Sequence, residues 1–225
     1  MNRYAMEFSK TGMIRYTSHL DMLRLFKRTL RKTGVPLAYS QGFNPHPKLG
    51  FAQPLSLGYE AKSDYIEFET VTPVDTSELL TKTATAMPEG ITVLRCVPVL
   101  DNVKSLAAMV VSAEYTIKVP DALYGGMNPE EFTTAFLAQD EIVVKKRRKK
   151  DKKLVETDIK DRIEALKPAG DKNLYLKAHC GSASNLSPDL VIDALIMFSG
   201  ADVKKYDFDV SRDRLIFSGE WEDDF

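Results

Sequence analysis

Residues 15–58 read RYTSHLDMLRLFKRTLRKTGVPLAYSQGFNPHPKLGFAQPLSLG. Ser18 is a helix N-cap, and Asp21 at the third helical position completes a capping box with Asp in place of Glu. The helix that starts here runs to about Lys32, where Gly34 closes it and Pro36 forbids continuation. Leu37–Ser40 is expected as a short strand. Residues 41–49 carry Gly42, Asn44, Pro45 and Pro47 and form a loop. Phe51–Gly58 then pairs with Asp64–Thr72 as a hairpin. Working outward, Arg3–Ser9 alternates in the manner of a strand. Thr11-Gly12 is a turn, and Met13–Tyr16 extends or pairs with that strand. Ser77–Met87 is a helix and Ile91–Val99 a strand. The order is β-α-β-β-α-β, the ferredoxin-like arrangement.

The second half repeats the order loosely. Val110–Val119 is a strand, and Pro129–Ala138 is a helix capped by Asn128. Glu141–Lys146 and Lys153–Asp158 form a hairpin, and Ile159–Leu166 is a helical turn. Asn173–Ala178 is a strand, Pro188–Phe198 is a helix capped by Ser187, and Asp202–Phe217 closes with strand-like alternation. The fold class is therefore α+β, with two ferredoxin-like domains in tandem over residues 1–103 and 104–225. The repeat is one of pattern and not of sequence identity.

A chain of 225 residues suits one large domain or two smaller ones. No run reaches the roughly 18 apolar residues that a membrane span needs, and the start, MNRYAMEFSK, lacks the apolar core of a signal peptide. The chain thus reads as soluble and cytoplasmic, with no membrane partner. Cys96 and Cys180 sit far apart in strand-like apolar runs, so they read as buried, inert thiols and not as a disulfide or thiolate metal site. Net charge is −1, but residues 1–60 hold nine Lys/Arg against three Asp/Glu, whereas Asp207–Phe225 holds seven acids against two bases. The local field, not the overall charge, carries the information.

At 100° per residue, Met22, Leu23, Leu25, Phe26 and Leu30 fall on one side of the first helix. Arg24, Lys27, Arg28, Arg31 and Lys32 fall on the other. An ordinary solvated helix mixes signs for i,i+4 pairing, and this one does not. Guanidinium forks also suit phosphate. The face therefore suits anion or nucleic-acid binding, with a solvated or protein-docking face as the plainer reading. His19 lies in the first turn, where the helix dipole favours a neutral imidazole. His46 lies between two prolines that stiffen its loop. Arg15, Asn44, His46 and Lys48 join Arg24, Lys27, Arg28 and Arg31 as candidate nucleic-acid-binding residues. His19 and His46 are the candidates for any catalytic role. Lys145, Lys146, Arg147, Arg148, Lys149 and Lys150 form a secondary basic patch at a hairpin tip. The histidines lack ligand spacing, so no metal is expected. No Walker A, G-x-G-x-x-G, G-x-S-x-G or H-E-x-x-H motif occurs, and no cofactor is expected in this chain.

The runs Arg15–Asp21, Pro36–Ser40 and Gly42–Lys48, the last reading Gly-Phe-Asn-Pro-His-Pro-Lys, resemble the signature of a bacterial domain family of unknown function known as radical-SAM-associated. The likeness is dense over residues 1–70 and extends to Lys145–Ile159 and Asn185–Leu195. It implies a stand-alone partner of, or a C-terminal extension to, a cobalamin-type radical SAM protein. It implies an association and not an activity. The chain has two cysteines, too few for the three-cysteine cluster motif, so that enzyme would be a separate polypeptide. The element order is also similar to the RAMP endoribonucleases, an analogy of fold that transfers no function.

Three readings follow. The first is an accessory RNA-binding module that presents tRNA or rRNA to the radical SAM enzyme and is not an enzyme by itself. The second is a protein-interaction subunit of that enzyme without RNA contact. The third is a metal-independent RAMP-like endoribonuclease with His19 or His46 as acid or base and Lys48 or Arg15 stabilising the transition state.

Overall fold

The computed structural model describes residues 2–148, 153–170 and 172–219. In chain order the elements are β1 (Asn2–Lys10), α1 (His19–Lys32), β2 (Leu49–Phe51), β3 (Glu60–Thr70), α2 (Thr76–Ala86), β4 (Ile91–Val99), α3 (Leu106–Met109), β5 (Val110–Lys118), α4 (Pro129–Leu137), β6 (Val143–Arg147), β7 (Leu154–Asp158), β8 (Ile163–Pro168), β9 (Asn173–His179), α5 (Pro188–Ser199) and β10 (Asp209–Phe217). This is a mixed α+β protein in which the β1-β3, β1-β4, β2-β3, β5-β9, β6-β7 and β8-β9 pairs run antiparallel. No described helix is long and apolar enough to cross a membrane. The chain forms two units, residues 1–110 with 212–225, and residues 111–211.

In the first unit the strand order is β4-β1-β3, with β2 pairing β3 and β10 also beside β3. The register sets Tyr4 against Phe68 and Met6 against Ile66. Period-2 alternation therefore sends Tyr4, Met6 and Phe8 to one face, where they bury against Met22, Phe26 and Leu30 of α1 and Leu79 of α2. Each such side chain contributes about 1.5–3 kcal/mol by leaving water. The helices start where expected for local reasons. Ser18 accepts from the Asp21 N–H at 3.2 Å, and Asp75 accepts from the Ser77 and Glu78 N–H groups at 2.8 and 3.0 Å.

Several expected strands are not strands. Met13–Tyr16 lies in a 3-10 helix, Gly12–Tyr16, entered through Gly12 at φ 70°. Leu37–Ser40 makes only the isolated bridges Leu37–Thr70 and Tyr39–Pro47. The Phe51–Gly58 strand stops at Phe51. Ala52 N–H still reaches the Tyr65 carbonyl at 2.9 Å, but Pro54 has no donor to extend the ladder. The carbonyls of Gln53 and Pro54 instead accept from the Arg212 guanidinium at 3.0 and 3.1 Å.

In the second unit, taken by itself, β5, α4, β8, β9 and α5 follow one another in the expected order, with the β6-β7 hairpin set between α4 and β8. Its sheet runs β5-β9-β8, and β6-β7 forms a separate two-stranded sheet. The hairpin, α4 and α5 lie where the sequence placed them, with Asn128 and Ser187 as N-caps. The helical turn expected at Ile159–Leu166 is a 3-10 turn, Lys160–Arg162, followed by β8. The alternation expected from Asp202 begins only at Asp209. Asp207 Oδ2 accepts from the Lys204 N–H at 2.8 Å, a local side-chain bond that competes with the ladder. The last strand, expected in the domain 104–225, has its residues from Arg212 onward in the first unit.

Candidate functional site

Helix α1 displays the basic face. Met22, Phe26, Thr29 and Leu30 are buried, which turns Arg24, Lys27, Arg28, Arg31 and Lys32 outward to line one shallow depression. Asp21 is the single acid of the helix. It accepts from the Ser18 hydroxyl at 2.7 Å and from Arg24 at 2.7 Å. The Ser18 bond first and Arg24 second hold its carboxyl below the usual aspartate range. The expected reciprocal bond of the capping box is thus replaced by a side-chain pair. Among the described residues, Lys27, Arg28 and Lys32 pair with no carboxylate, and Arg31 meets a tyrosine instead.

That tyrosine ties the helix to the Gly-Phe-Asn-Pro-His-Pro-Lys loop. Arg31 Nη2 donates to the Tyr39 hydroxyl at 3.0 Å, and its guanidinium stands 5.8 Å from the ring centroid. The loop is a narrow hairpin. Ser40 N–H donates to the His46 carbonyl and Lys48 N–H to the Ala38 carbonyl, both at 2.8 Å. His46 N–H donates to Ser40 Oγ at 3.1 Å. Phe43 stands fully exposed at the tip, with Asn44 and His46 also exposed.

The other candidates are distributed around this surface. Lys48 is bound to Glu69 at 2.7 Å, so its charge is already answered within the fold. Arg15 donates to the Tyr16 hydroxyl at 2.9 Å, lies over that ring, and stands 3.9 Å from Glu60. The His19 ring packs 5.3 Å from that of Phe51 and lines a cavity of about 20 Å³ with Lys10, Gln53 and Asp64. That volume holds a single water and no nucleotide. No hydrogen bond joins His19 to His46 among the described residues. Nor does any group of three or more His, Cys, Asp or Glu there have the placement to hold a metal ion.

The secondary patch lies on the β6-β7 hairpin of the other unit. Lys145, Lys146 and Arg148 are exposed, with Glu156 opposite Lys145 and Val155 opposite Lys146. The backbone of Arg147 belongs to β6, whereas Lys149 and Lys150 fall outside the described residues.

Two features went unread in the sequence. The exposed Phe43 was visible in principle, because an aromatic between Gly42 and Asn44 in a loop has no core to enter. The second feature is a buried charge cluster under the loop that follows β2. Asp64 receives two bonds from Arg212, at 2.8 and 2.7 Å, and both residues are almost inaccessible. Lys10 Nζ donates to the Arg15 and Thr17 carbonyls, both at 3.2 Å. Burial lowers the Lys10 pKa, with Asp64 opposing. Burial also pushes the Asp64 carboxyl up, with Arg212 opposing. The two cysteines are free and buried, and burial alone raises the Cys96 thiol to about 12.

No match was found among curated proteins. A family model matches residues 3–188, which takes in β1, the basic helix, the Phe43 hairpin and the β6-β7 hairpin, and the chain belongs to that family, described as an uncharacterized protein conserved in bacteria (DUF2344).

Proposed function

We propose that this chain is an accessory RNA-binding module that presents tRNA or rRNA to a separate radical SAM enzyme. The observation that carries the RNA half is the outward face of α1, where four of five cations lack a carboxylate partner among the described residues. Unanswered guanidinium and ammonium groups on a rigid helix gain most from a polyanion, whose counterions are released on contact. The ferredoxin-like reading of the first unit is supported by its β-α-β-β-α-β order and antiparallel pairing. The enzyme half rests on the Gly42–Lys48 motif and its resemblance to radical-SAM-associated domains.

A second reading is a docking subunit without RNA contact. Exposed Met13, Tyr16, Leu20 and Leu57 favour it, since Gly58 N–H bonds the Arg15 carbonyl at 2.9 Å and brings that loop to the 3-10 helix. The ribonuclease reading has no comparable support, because acid–base cleavage needs two groups bracketing one phosphate.

The test is anisotropy of a labelled total-tRNA pool across a salt series, with an Arg24/Arg28/Arg31→Glu variant beside the native chain. Four phosphate contacts give a log–log salt slope of about −3, a loss of roughly 50- to 150-fold between 50 and 200 mM salt. The variant should lose the binding. Absence of binding at 50 mM would remove the RNA reading and leave docking, to be pursued by co-purification that survives nuclease.

A further inference from the structure

We infer that the RNA taken by this surface carries unpaired bases, and that one of them stacks on Phe43. The inference rests on the RNA reading above and adds the class of RNA.

The hairpin that carries Phe43 is held at its base. Its flanks are closed by the Ser40–His46 and Ala38–Lys48 backbone bonds, with a further bond from the His46 N–H to Ser40 Oγ. Pro45 and Pro47 remove conformational freedom from the returning strand. Pro47 is buried and bridges Tyr39, so the stem is anchored while the tip is not. Gly42, at φ 133°, lets the chain turn immediately before the ring. The result holds a phenylalanine in water on a stiff support. The core gains nothing from that placement.

The ring also stands on a hairpin whose base is tied to the charge. Tyr39 at the base of the hairpin is bonded to Arg31, one of the outward cations of α1. Phe43 lies four positions beyond Tyr39, a backbone span of at most about 14 Å. An exposed aromatic on a hairpin tied to a cationic face is the combination that binds single-stranded nucleic acid: phosphates follow the charge, and a base lays its π-face on the ring. A continuous A-form duplex offers phosphates but hides its base faces in the stack, and side chains cannot read its deep, narrow major groove. Duplex can therefore use the helix but not Phe43. A stem with a loop, bulge or single-stranded end can use both.

The experiment compares two fluorescein-labelled probes at 50 mM salt, a 12-nucleotide single-stranded RNA and the same strand in a blunt duplex. The full chain is used as the native protein, Phe43→Ala and Phe43→Trp. Because Phe43 is solvent-exposed, both variants should fold, which circular dichroism checks. The native chain should prefer the single strand by about ten-fold. Phe43→Ala should weaken single-strand binding by about ten-fold and leave duplex binding unchanged, and Phe43→Trp should retain the preference. A 2-aminopurine in the strand should change its emission on binding the native chain and not on binding Phe43→Ala. Equal affinity for the two probes overturns the stacking inference and leaves the RNA reading standing. So does a Phe43→Ala variant that loses neither probe or loses both alike. Unaltered RNA affinity with lost co-purification of a protein partner would assign Phe43 to docking. Absence of binding to either probe removes the RNA reading itself.

Discussion

Replacing Arg212 with methionine keeps most of the side-chain volume and deletes the guanidinium. In the native fold that group makes two bonds to Asp64 and one each to the Gln53 and Pro54 carbonyls, all between 2.7 and 3.1 Å. Arg212 is 1 % exposed and Asp64 3 %, so water cannot take over these bonds without opening the sheet. Removing one member of a buried ion pair costs about 3–5 kcal/mol, because the other charge remains uncompensated. Lys10 is the nearest remedy, since its charge already acts on Asp64. It is held by the Arg15 and Thr17 carbonyls and would have to release them to move closer. At a urea dependence of about 2 kcal/mol per molar, the midpoint should fall by about 1.5–2.5 M. The melting temperature should drop by about 6–20 °C. Urea titration followed by circular dichroism at 222 nm gives the number. An Asp64→Leu/Arg212→Met double variant should recover more than half of the loss, since an apolar pair of similar volume replaces the ion pair at little cost. The carbonyls of Gln53 and Pro54 keep the recovery incomplete. A single variant whose midpoint moves by less than about 0.5 M, or a double variant no more stable than the single, would refute the reasoning.

Two other outcomes follow from local geometry. Gly90 sits at φ +89°, and an added Cβ would stand 2.5 Å from the Thr11 carbonyl oxygen and 2.8 Å from Ile14 Cγ2. Gly90→Ala should therefore cost at least about 1–3 kcal/mol, read by thermal melting, and an unchanged melting temperature would contradict it. Asp158 accepts from the Lys160 and Ile142 N–H groups at 3.0 and 2.9 Å, and these bonds, Lys160 first, hold its carboxyl below the usual value of 3.8. A depressed folded pKa means that the stabilisation is complete above the unfolded value and is lost as pH falls through the folded one. The protection factors of the Ile142 and Lys160 amides, which are exchange rates relative to the intrinsic rate at each pH, should thus be complete at neutral pH and fall only below about 3.8. In Asp158→Asn this pH dependence should disappear.

Helix α1 was legible because its signals are local. Ser18, Gly34 and Pro36 mark its ends, and the 100° spacing separates Phe26 from Arg28 without knowledge of the rest of the fold. The strands β1, β4 and β9 were legible by alternation. What failed depended on distant groups. Phe51–Gly58 alternates well enough, yet its carbonyls at Gln53 and Pro54 are claimed by Arg212, about 160 positions later. Ile163 and Leu166 have helical spacing as well as strand character, and pairing with β9 decided for strand. Lys48 was read as a free cation because Glu69 is 21 residues away and becomes its neighbour only when β3 folds back. The basic face was therefore read in outline, and the answered charges within it were not.

The bond between Asp64 and Arg212 joins residues 148 positions apart, and this bears on the order of events at the ribosome. At about 5–20 residues per second, roughly 7–30 s pass between the synthesis of β3 and the arrival of its guanidinium partner. During that interval β1, α1 and β3 can pair, but Asp64 has yet to meet the group that answers it within the finished sheet. The second unit is made in the meantime. The first unit is thus the earliest to begin and the last to be completed, and a chain that ends before Arg212 leaves Asp64 without that guanidinium.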